Sequence, residues 1–380
     1  MLGRHELRFT AGNRVAVHER GREGLEAMAG AIATARRRIH LETYILRPDA
    51  TGRRFLSQLT ERARAGVAVR LLYDALGSRG LGPAALAELR EAGAEVVAFN
   101  PLRRLWPRWA PRRRDHRKIL TVDGEVAFTG GLNLGDEYHG YRTDGSDAWR
   151  DTHLELRGPV VRDLDAVFLE SWFRADGPGL GWHDILDAPP PAPDAEDGVR
   201  CAVLADGPAY RRRRMRDLVI GLLEGTRRRA CFASPYFAPG PALLDALADA
   251  GRRGVQVELV VAGHPSDHPW LRRAAHALFV PLLACGVRVH EYQGAMMHAK
   301  VALFDGKLGV VGTSNLDRQS LRHSYEVNVV LAGASVTARL EEAFARDLAA
   351  SRRVDERALA GRGALERLLD TAAAWSLRAL

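Results

Sequence analysis

A chain of 380 residues, of which 46% are hydrophobic and 27% charged, has the composition of a soluble globular protein and is long enough for two domains or two fused repeats. Its formal net charge of +8 favours anionic partners, either phospholipid head groups or nucleic acid, and does not choose between them. Three cysteines are too few for a disulfide framework, and no apolar run reaches the roughly 18 residues of a spanning helix, so the composition argues against a disulfide-stapled secreted protein and predicts no transmembrane anchor.

The first half of the chain alternates short apolar strands with amphipathic helices. Strands are predicted at 14–17, 38–46, 67–73 and 95–99, and helices at 23–37, 52–65 and 83–92. This alternation is typical of an α/β structure in which helices flank a sheet.

A motif that occurs twice follows these elements. The stretch HRKILTVDGEVAFTGGLN begins at His116, and HAKVALFDGKLGVVGTSN begins at His298 with its lysine, aspartate, glycines and asparagine at the same offsets. The chain has three lysines, and two of them are the motif residues Lys118 and Lys300. Because arginine serves nearly everywhere else, the motif lysines indicate a chemical need for a compact cation.

The second half repeats the elements of the first. Strands are predicted at 228–234 and 325–331 and helices at 241–253, 335–350 and 363–380, while GVQVELVV from Gly254 matches GVAVRLLY from Gly66. Similarity that begins well before the motifs indicates a duplication. We therefore predict an α/β fold with two repeats, 1–175 and 201–350, each a mixed sheet flanked by helices, related by a pseudo-twofold with the active site between them.

Two segments lie outside the predicted repeats. Residues 176–200 contain APPPAPDAEDG and are interpreted as a proline-rich linker. Residues 351–380 are predicted to form a helical tail whose last helix is amphipathic. Packing on its own domain is the favoured role for that helix, and contact with a membrane surface is the alternative.

Within each motif the histidine and lysine occupy alternate positions of a predicted strand, so their side chains leave the same face. Asp123 and Asp305 lie at odd offsets, at the strand ends, and are predicted to order turns rather than to touch a substrate. A glycine turn further on is predicted to bring Asn133 or Asn315 back beside that face. Two histidines, two lysines and two asparagines would then form a cradle for a phosphoryl group.

Two histidines in one site allow a division of labour. One can attack phosphorus while the other protonates the leaving alkoxide and then deprotonates the incoming alcohol or water. A carboxylate behind each ring would set its tautomer, and the candidates are Asp151 and Glu326, each on the strand that follows the motif of its own repeat. His153, matched by Asn328 in the second repeat, either supports the site by hydrogen bonding or is purely structural.

These residues carry a family resemblance. The doubled HxKxxxxD motif resembles the signature of the phospholipase D superfamily, and the stretches ARRRIHLETYIL, GGLN and ASPYFAPG extend the similarity to its bacterial cardiolipin synthases. The resemblance implies an exchange without a metal ion or other cofactor, through a covalent phosphohistidine, in which a phosphatidyl group passes to a hydroxyl of phosphatidylglycerol and glycerol or another alcohol leaves. It implies these roles: His116 and His298 as nucleophile and general acid/base in an order the sequence does not fix, Lys118, Lys300, Asn133 and Asn315 as phosphate ligands, and Asp123 and Asp305 as the last members of the catalytic motifs.

Three alternatives stay open from the sequence. They are hydrolysis of phospholipid, hydrolysis of a nucleic-acid phosphodiester without metal, and a catalytically silent nucleic-acid-binding module, which the intact motifs argue against. The chain lacks the two N-terminal membrane helices of the commonest synthases and resembles their shorter form. We therefore expect peripheral contact with the cytoplasmic face of a bacterial membrane, anionic phospholipid as partner, and no nucleic acid.

A basic aromatic loop leads into the first motif. Between Pro101 and Lys118 there are eight basic residues and one acidic residue, and two tryptophans lie among them. Tryptophan together with arginine favours an anionic bilayer interface, whereas nucleic acid would use the same groups for stacking and charge neutralisation; a solvated loop is the third interpretation. Because the loop ends at His116, we predict membrane or head-group contact by Trp106, Trp109, Arg112, Arg113 and Arg114.

Overall fold

The computed structural model describes residues 7–101, 113–140, 148–179, 198–210, 214–264, 266–355, 357, 359, 361 and 363–378, and these form the same α/β unit twice. The first unit consists of β1 (Thr10–Arg20), α1 (Gly21–Thr34), β2 (Arg38–Thr43), α2 (Ala50–Arg64), β3 (Ala68–Asp74), α3 (Pro83–Glu91), β4 (Glu95–Phe99), β5 (Ile119–Val122), β6 (Val126–Gly130), α4 (Asp136–His139), β7 (Arg150–Arg157) and α5 (Val160–Arg174). The second unit and the segment after it consist of β8 (Val199–Asp206), α6 (Arg214–Gly225), β9 (Arg229–Ser234), β10 (Phe237–Ala238), α7 (Pro241–Arg252), β11 (Gln256–Ala262), α8 (Pro269–Ala284), β12 (Arg288–Tyr292), β13 (Val301–Phe304), β14 (Leu308–Gly312), β15 (Leu316–Asp317), α9 (Arg318–His323), β16 (Glu326–Ala332), α10 (Ala334–Ala349), β17 (Ser351–Val354) and α11 (Ala364–Arg378).

Strand order shows the duplication directly. From the centre outwards the first unit runs β1-β7-β6-β5-β2-β3-β4, and the second runs β8-β16-β14-β13-β9-β11-β12 with β17 added at its edge. The units meet where β1 pairs antiparallel with β8. Strands β2, β3 and β4 pair in parallel, as do β9, β11 and β12, while the remaining pairs of this large sheet are antiparallel. The short strands β10 and β15 form a separate parallel pair. The predicted fold, two mixed sheets related by a pseudo-twofold, is confirmed.

The units share a core as well as a sheet edge. One apolar cluster combines residues of both units, and helices α5 and α10 supply several of its large members. Leu164, Phe168 and Trp172 recur at helical spacing along α5, and Leu340 and Phe344 do so along α10; all five are at most 2% exposed. Burying a side chain of this size stabilises the fold by about 1.5–3 kcal/mol. The two units are therefore held together by the same kind of packing that forms each one.

The structure departs from the predicted elements at several places; one is β2, which ends at Thr43 where the strand was predicted to reach 46. Strand β1 is longer than 14–17 because it pairs with β7 along one edge and with β8 along the other. Helix α1 ends at Thr34 because the next residues turn towards the first motif, where Asp123 accepts from the backbone of Arg36 and Arg37. The tail predicted as helical begins with β17, which pairs antiparallel with β12. In the described part of the chain, no helix is long and apolar enough to cross a bilayer.

Candidate active site

Each motif histidine lies in an extended segment just before a strand, and that segment pairs with the other unit. The strand expected at His116 and Lys118 begins only at Ile119, since the preceding backbone leaves its own sheet. The backbone N–H of His116 donates to the carbonyl of Tyr325 at 2.9 Å, and the N–H of His298 donates to the carbonyl of Arg150 at 2.7 Å. These bonds place each histidine against the strand of the opposite repeat.

The carboxylates behind the two rings are consequently exchanged between the repeats. Nδ1 of His116 lies 3.1 Å from both carboxyl oxygens of Glu326, and Nδ1 of His298 lies 2.7 Å from Oδ2 of Asp151. The expected pairing, in which each carboxylate orients the histidine of its own repeat, is therefore wrong. The residue types were identified correctly, but the backbone pairing across the units decides which ring each one reaches.

Burial dominates the electrostatics of both rings. It lowers the pKa of His298 to about 4, with Lys300 adding to the effect and Asp151 opposing it. It also lowers the pKa of His116 well below its usual range, together with Lys118 and Lys300. Both imidazoles are therefore neutral at pH 7. Because Nδ1 of each ring faces a carboxylate, Nε2 is the nitrogen left for chemistry.

The two carboxyl groups differ in charge. Burial raises the pKa of Asp151, but Lys300 and His298 outweigh it and the net pKa is lower than usual, so Asp151 is ionised. Burial raises the pKa of Glu326 to about 8, against the opposing effect of Lys118. Glu326 also accepts hydrogen bonds from the hydroxyls of Thr313 and Ser320. The pseudo-twofold is therefore broken at the carboxyl groups.

Both motif lysines are buried beside their histidines. Nζ of Lys118 donates to the carbonyl of His116 at 2.8 Å, and Nζ of Lys300 donates to the carbonyl of His298. Nζ of Lys300 also lies 2.9 Å from Nδ1 of His298, but Nδ1 makes a shorter contact with Asp151. We therefore assign the ring proton to Nδ1, which donates it in a hydrogen bond to Asp151. Burial lowers the pKa of Lys118 to about 7 and that of Lys300 to about 8.

The motif aspartates lie in turns, away from the rings. Asp123 accepts from the backbone N–H groups of Arg36, Arg37 and Arg38 at 2.7–2.9 Å, and Asp305 accepts from those of residues 227–229 at 2.8–3.0 Å. Both have positive φ angles, 56° and 51°, which aspartate tolerates better than most residues. This geometry favours the turn-ordering role over the catalytic role that the resemblance implied.

The two asparagines line the same cavity as the histidines but are held differently. The amide of Asn133 donates to the hydroxyl of Tyr138 at 2.7 Å, and its oxygen accepts from the N–H of Ile45 at 3.1 Å. The side-chain oxygen of Asn315 is buried and accepts no hydrogen bond within the described residues. Of the two, Asn133 is the more firmly fixed.

Aromatic residues that the sequence did not single out frame the two imidazoles. The edge of Tyr44 packs on His116 with ring centroids 4.8 Å apart, while Tyr138 and Trp149 pack on His298 at 5.3 and 5.4 Å. Nζ of Lys118 lies 5.3 Å from the Tyr44 ring centre, within cation–π range. Tyr44 and Tyr138 lie near predicted motif segments in the sequence, and this position was the available evidence for them. No spacing rule distinguishes them from aromatic residues of the core.

His153 lies behind the first motif in a closed environment. Neither ring nitrogen has a hydrogen-bond partner within the described residues, and burial lowers its pKa to about 3. The ring occupies the space that a Cβ on Gly130 would need, and Gly130 has a φ of +147°. Of its two interpretations, the structural one fits this packing.

The predicted head-group loop is only partly described. Trp106, Trp109 and Arg112 lie outside the described residues. Arg113 is exposed, whereas Arg114 is buried and donates to Oδ1 of Asp74 at 3.3 Å. The buried guanidinium of Arg114 therefore faces the catalytic cavity and not the protein surface, so that the predicted contact of this residue stays a prediction for a head group within the cavity.

One cavity of about 720 Å³ joins these parts of the site. Both motif histidines, both asparagines, Tyr44, Tyr138, Trp149 and Glu326 line it. Its walls also carry Arg47, Arg79, Arg114 and Arg318, a set of cations suited to phosphodiester substrates. In the part of the chain that the structure covers, no group of three or more histidine, cysteine, aspartate and glutamate side chains could hold a metal ion.

Paired α/β units whose two HxKxxxxD motifs face one cavity define a protein of the phospholipase D type. A family described as cardiolipin synthase, PLD-like domain, matches residues 28–168 and 219–348. The chain belongs to this family.

Individual relatives agree with this assignment. The chain is 37% identical over 330 residues to a cardiolipin synthase of Geobacillus kaustophilus, covering 87% of this chain and 64% of that protein. It is 34% identical over 374 residues to a cardiolipin synthase of Alkalihalophilus pseudofirmus, covering 97% and 72%. The crystal structure of the phosphatidylserine synthase of Haemophilus influenzae Rd KW20 has the same fold, with a TM-score of 0.74 over 98% of this chain and 95% of that one, at 12% identity.

Proposed function

We propose that the protein is a cardiolipin synthase that transfers a phosphatidyl group from one phospholipid to a hydroxyl of phosphatidylglycerol. The observation that carries the proposal is the pair of imidazoles facing one cavity, each with Nδ1 at a carboxyl group and Nε2 left for the substrate. Relatives named cardiolipin synthase and the net charge of +8 support an anionic lipid substrate.

The proposed reaction uses the two histidines in alternation. Nε2 of one ring attacks phosphorus, an N–P bond forms, and the P–O bond to the leaving alcohol breaks as the other ring supplies its Nε2 proton to that oxygen. For His116 that proton is replaced from Glu326, whose raised pKa leaves a proton to donate to Nδ1. The second ring then takes the proton from the hydroxyl of phosphatidylglycerol, whose oxygen attacks phosphorus and breaks the N–P bond. The leaving alcohol is glycerol when the donor is also phosphatidylglycerol.

The remaining groups stabilise charge on the transferred phosphoryl group. Lys118 and Lys300 lie beside the rings in a buried site, where a cation acts more strongly than in water. Asn133 and Asn315 are proposed as neutral donors to the same oxygens. The ionised carboxylate of Asp151 stabilises the imidazolium that forms when His298 accepts a proton, and the carboxyl group of Glu326 orients the ring of His116.

Lipid extracts of bacterial cells that express the protein test the proposal. Cardiolipin should rise above its level in cells without the gene, and His116→Ala or His298→Ala should lower the gain at least about a thousandfold because each removes an obligate group. His264→Ala is a matched control, since His264 is exposed and does not line the cavity. Chelator in the assay of purified protein is expected to leave the rate unchanged.

Other products would identify the competing activities. Phosphatidic acid in place of cardiolipin would make the protein a hydrolase, and cleavage of nucleic acid without added metal would make it a nuclease. Binding of nucleic acid without turnover of either substrate would make it a binding module. We further propose that the protein meets its lipid peripherally at the cytoplasmic face of the membrane; recovery with washed membranes, released by high salt, would support this.

A further inference from the structure

A second large cavity lies beside the catalytic one. It is a groove of about 760 Å³ between α7, α8 and α9, and most of its wall is apolar. The helices contribute Leu244, Leu278, Pro281, Leu282 and Leu321. A polar substrate fragment would find few hydrogen-bonding partners along these walls, whereas a hydrocarbon chain would bury its surface against them.

The groove meets the catalytic cavity at two residues. Ala238 of β10 and Arg318 at the start of α9 line both spaces. Because β10 pairs with β15, which precedes α9, this junction is fixed by the backbone. Asn315, which also lines the catalytic cavity, is the residue before β15. The catalytic cavity and the groove therefore adjoin at Ala238 and Arg318.

The groove is also lined by more cations than anions. Four arginines, Arg216, Arg252, Arg318 and Arg322, line it against one carboxylate, Asp245. Arg216 and Arg252 form ion pairs with Asp217 and Asp249. The exposed side chain of Arg322 has no ion-pair or hydrogen-bond partner within the described residues. Apolar walls with cationic neighbours suit an anionic amphiphile and not a neutral apolar molecule.

Exposed apolar side chains adjoin the groove. Val280 and Trp375 are 51% and 71% exposed, and each is the neighbour along the chain of a groove residue, Pro281 or Ala374. Tryptophan at the edge of an apolar surface is typical of contact with a lipid interface. The groove therefore opens beside an exposed apolar surface that suits contact with lipid, which a water-soluble ligand would not need.

We propose that this groove holds an acyl chain of the phospholipid whose phosphodiester lies between His116 and His298. The proposal rests on the function proposed above and extends it, since it assigns recognition of the lipid tail to α7, α8 and α9. Under this proposal the rate of lipid turnover depends on the length of the acyl chain. Each additional methylene that enters the groove removes more apolar surface from water.

Filling the groove tests the proposal through chain length. Leu278→Trp places a larger side chain among the walls, and we expect kcat/KM for dioleoyl-phosphatidylglycerol in detergent micelles to fall about tenfold or more while that for monomeric dihexanoyl-phosphatidylglycerol changes less than about twofold. Ala284→Trp is the matched control, since Ala284 is exposed at the end of the same helix and does not line the groove. Equal rates of the two variants on the long-chain lipid would overturn the proposal.

Photo-crosslinking of the unmodified protein tests it without relying on a folded variant. Phosphatidylglycerol with a diazirine in its acyl chain should label peptides from 241–252 and 269–285, and dihexanoyl-phosphatidylglycerol should compete less well than the dioleoyl lipid. Labels elsewhere would refute the groove assignment, as would labels that a lipid of any chain length removes equally. Unmodified protein that makes no cardiolipin from either lipid would refute the proposed function instead.

Discussion

At the scale of single residues, Gly131 and Thr313 explain why the two halves of the site are not equivalent. They occupy the same place in the two motifs, but a Cβ at Gly131 would overlap the carboxylate of Asp151. The hydroxyl of Thr313 instead donates to Glu326. Glycine thus makes room for one carboxyl group, and threonine binds the other. A difference at this one equivalent position therefore gives the two carboxyl groups different environments.

The two buried lysines predict an alkaline loss of activity. A lysine whose pKa is lowered to about 7 or about 8 loses its charge as the pH rises through that value, and with it the stabilisation of the phosphoryl group. We expect kcat/KM to fall between about pH 7 and pH 9. In the profile of kcat the fall should move to higher pH, because a bound phosphodiester anion favours the charged lysines.

The third lysine of the chain provides the control. Lys307 is exposed and lies in the turn after Asp305, so Lys307→Ala should leave both profiles unchanged. Buffers matched in ionic strength are needed to separate titration from screening. A flat kcat/KM profile over that range would show that the motif lysines keep their charge despite burial.

At the scale of elements, Glu291 of β12 connects helix α8 and edge strand β17 to the sheet of the second unit. Its side chain is buried and accepts from Arg272 and His276 of α8, and from Arg352 of β17. Burial raises its pKa, but His276 and Arg272 outweigh it and lower the pKa to about 2. One carboxylate therefore anchors both a helix and the edge strand.

Glu291→Gln is expected to lower the free energy of unfolding by about 1–3 kcal/mol at pH 7, because the partly exposed Arg272 and the exposed Arg352 lose their counter-charge and the buried His276 loses a charged acceptor. Since the folded pKa lies below the unfolded one, the ion pairs stabilise fully above the unfolded pKa and less as the pH falls towards 2. The difference from wild type in urea unfolding should therefore narrow at pH 4. Glu224→Gln, at an exposed position of α6, should change the free energy of unfolding by less than about 0.5 kcal/mol at either pH.

The sequence predicted the positions of helices and strands better than it predicted which strands pair and which side chains meet. Helical spacing and strand runs placed α2, α3, β4 and α10 to within a residue or two, because local pattern determines them. The extent of β1 and the existence of β17 depend on pairing with strands far along the chain, which no local pattern records. The same holds in the site: Asp151 and Glu326 could be identified as candidates, but not the ring that each one orients.

At the scale of the whole molecule, Arg117 joins the two repeats. It is fully buried and donates to Ser171 of α5 at 2.8 Å and to the carbonyl of Glu326 at 3.2 Å. Its ion-pair partner is Glu170, whose Oε1 lies 3.9 Å from Nη2, and two buried carboxyl groups also act on its charge. Burial and Asp115 raise the pKa of Glu42 well above its usual range, so Glu42 is protonated and Asp115 carries the charge of that pair. Arginine and carboxyl pair thus form a nearly neutral cluster at the centre of the molecule.

Arg117→Met should destabilise the protein by about 3–5 kcal/mol, since it leaves the charge on Asp115 uncompensated in the interior. Arg117→Met with Asp115→Asn should recover part of the loss, because it removes that charge as well. Arg22→Met, at an exposed position of α1, is the control. If the double variant unfolds at lower urea than the single one, the hydrogen bonds of Arg117 and not its charge hold the repeats together.

The exchanged carboxyl groups also bear on how such a protein can evolve. His116 depends on Glu326 and His298 on Asp151, so each working histidine is encoded in both halves of the gene. A recombination that replaces one whole repeat with that of a relative breaks both partnerships at once. A boundary inside each half, which keeps every ring with its distant carboxyl group, would preserve them. Each histidine–carboxyl pair therefore spans the duplication, and neither repeat carries a complete pair by itself.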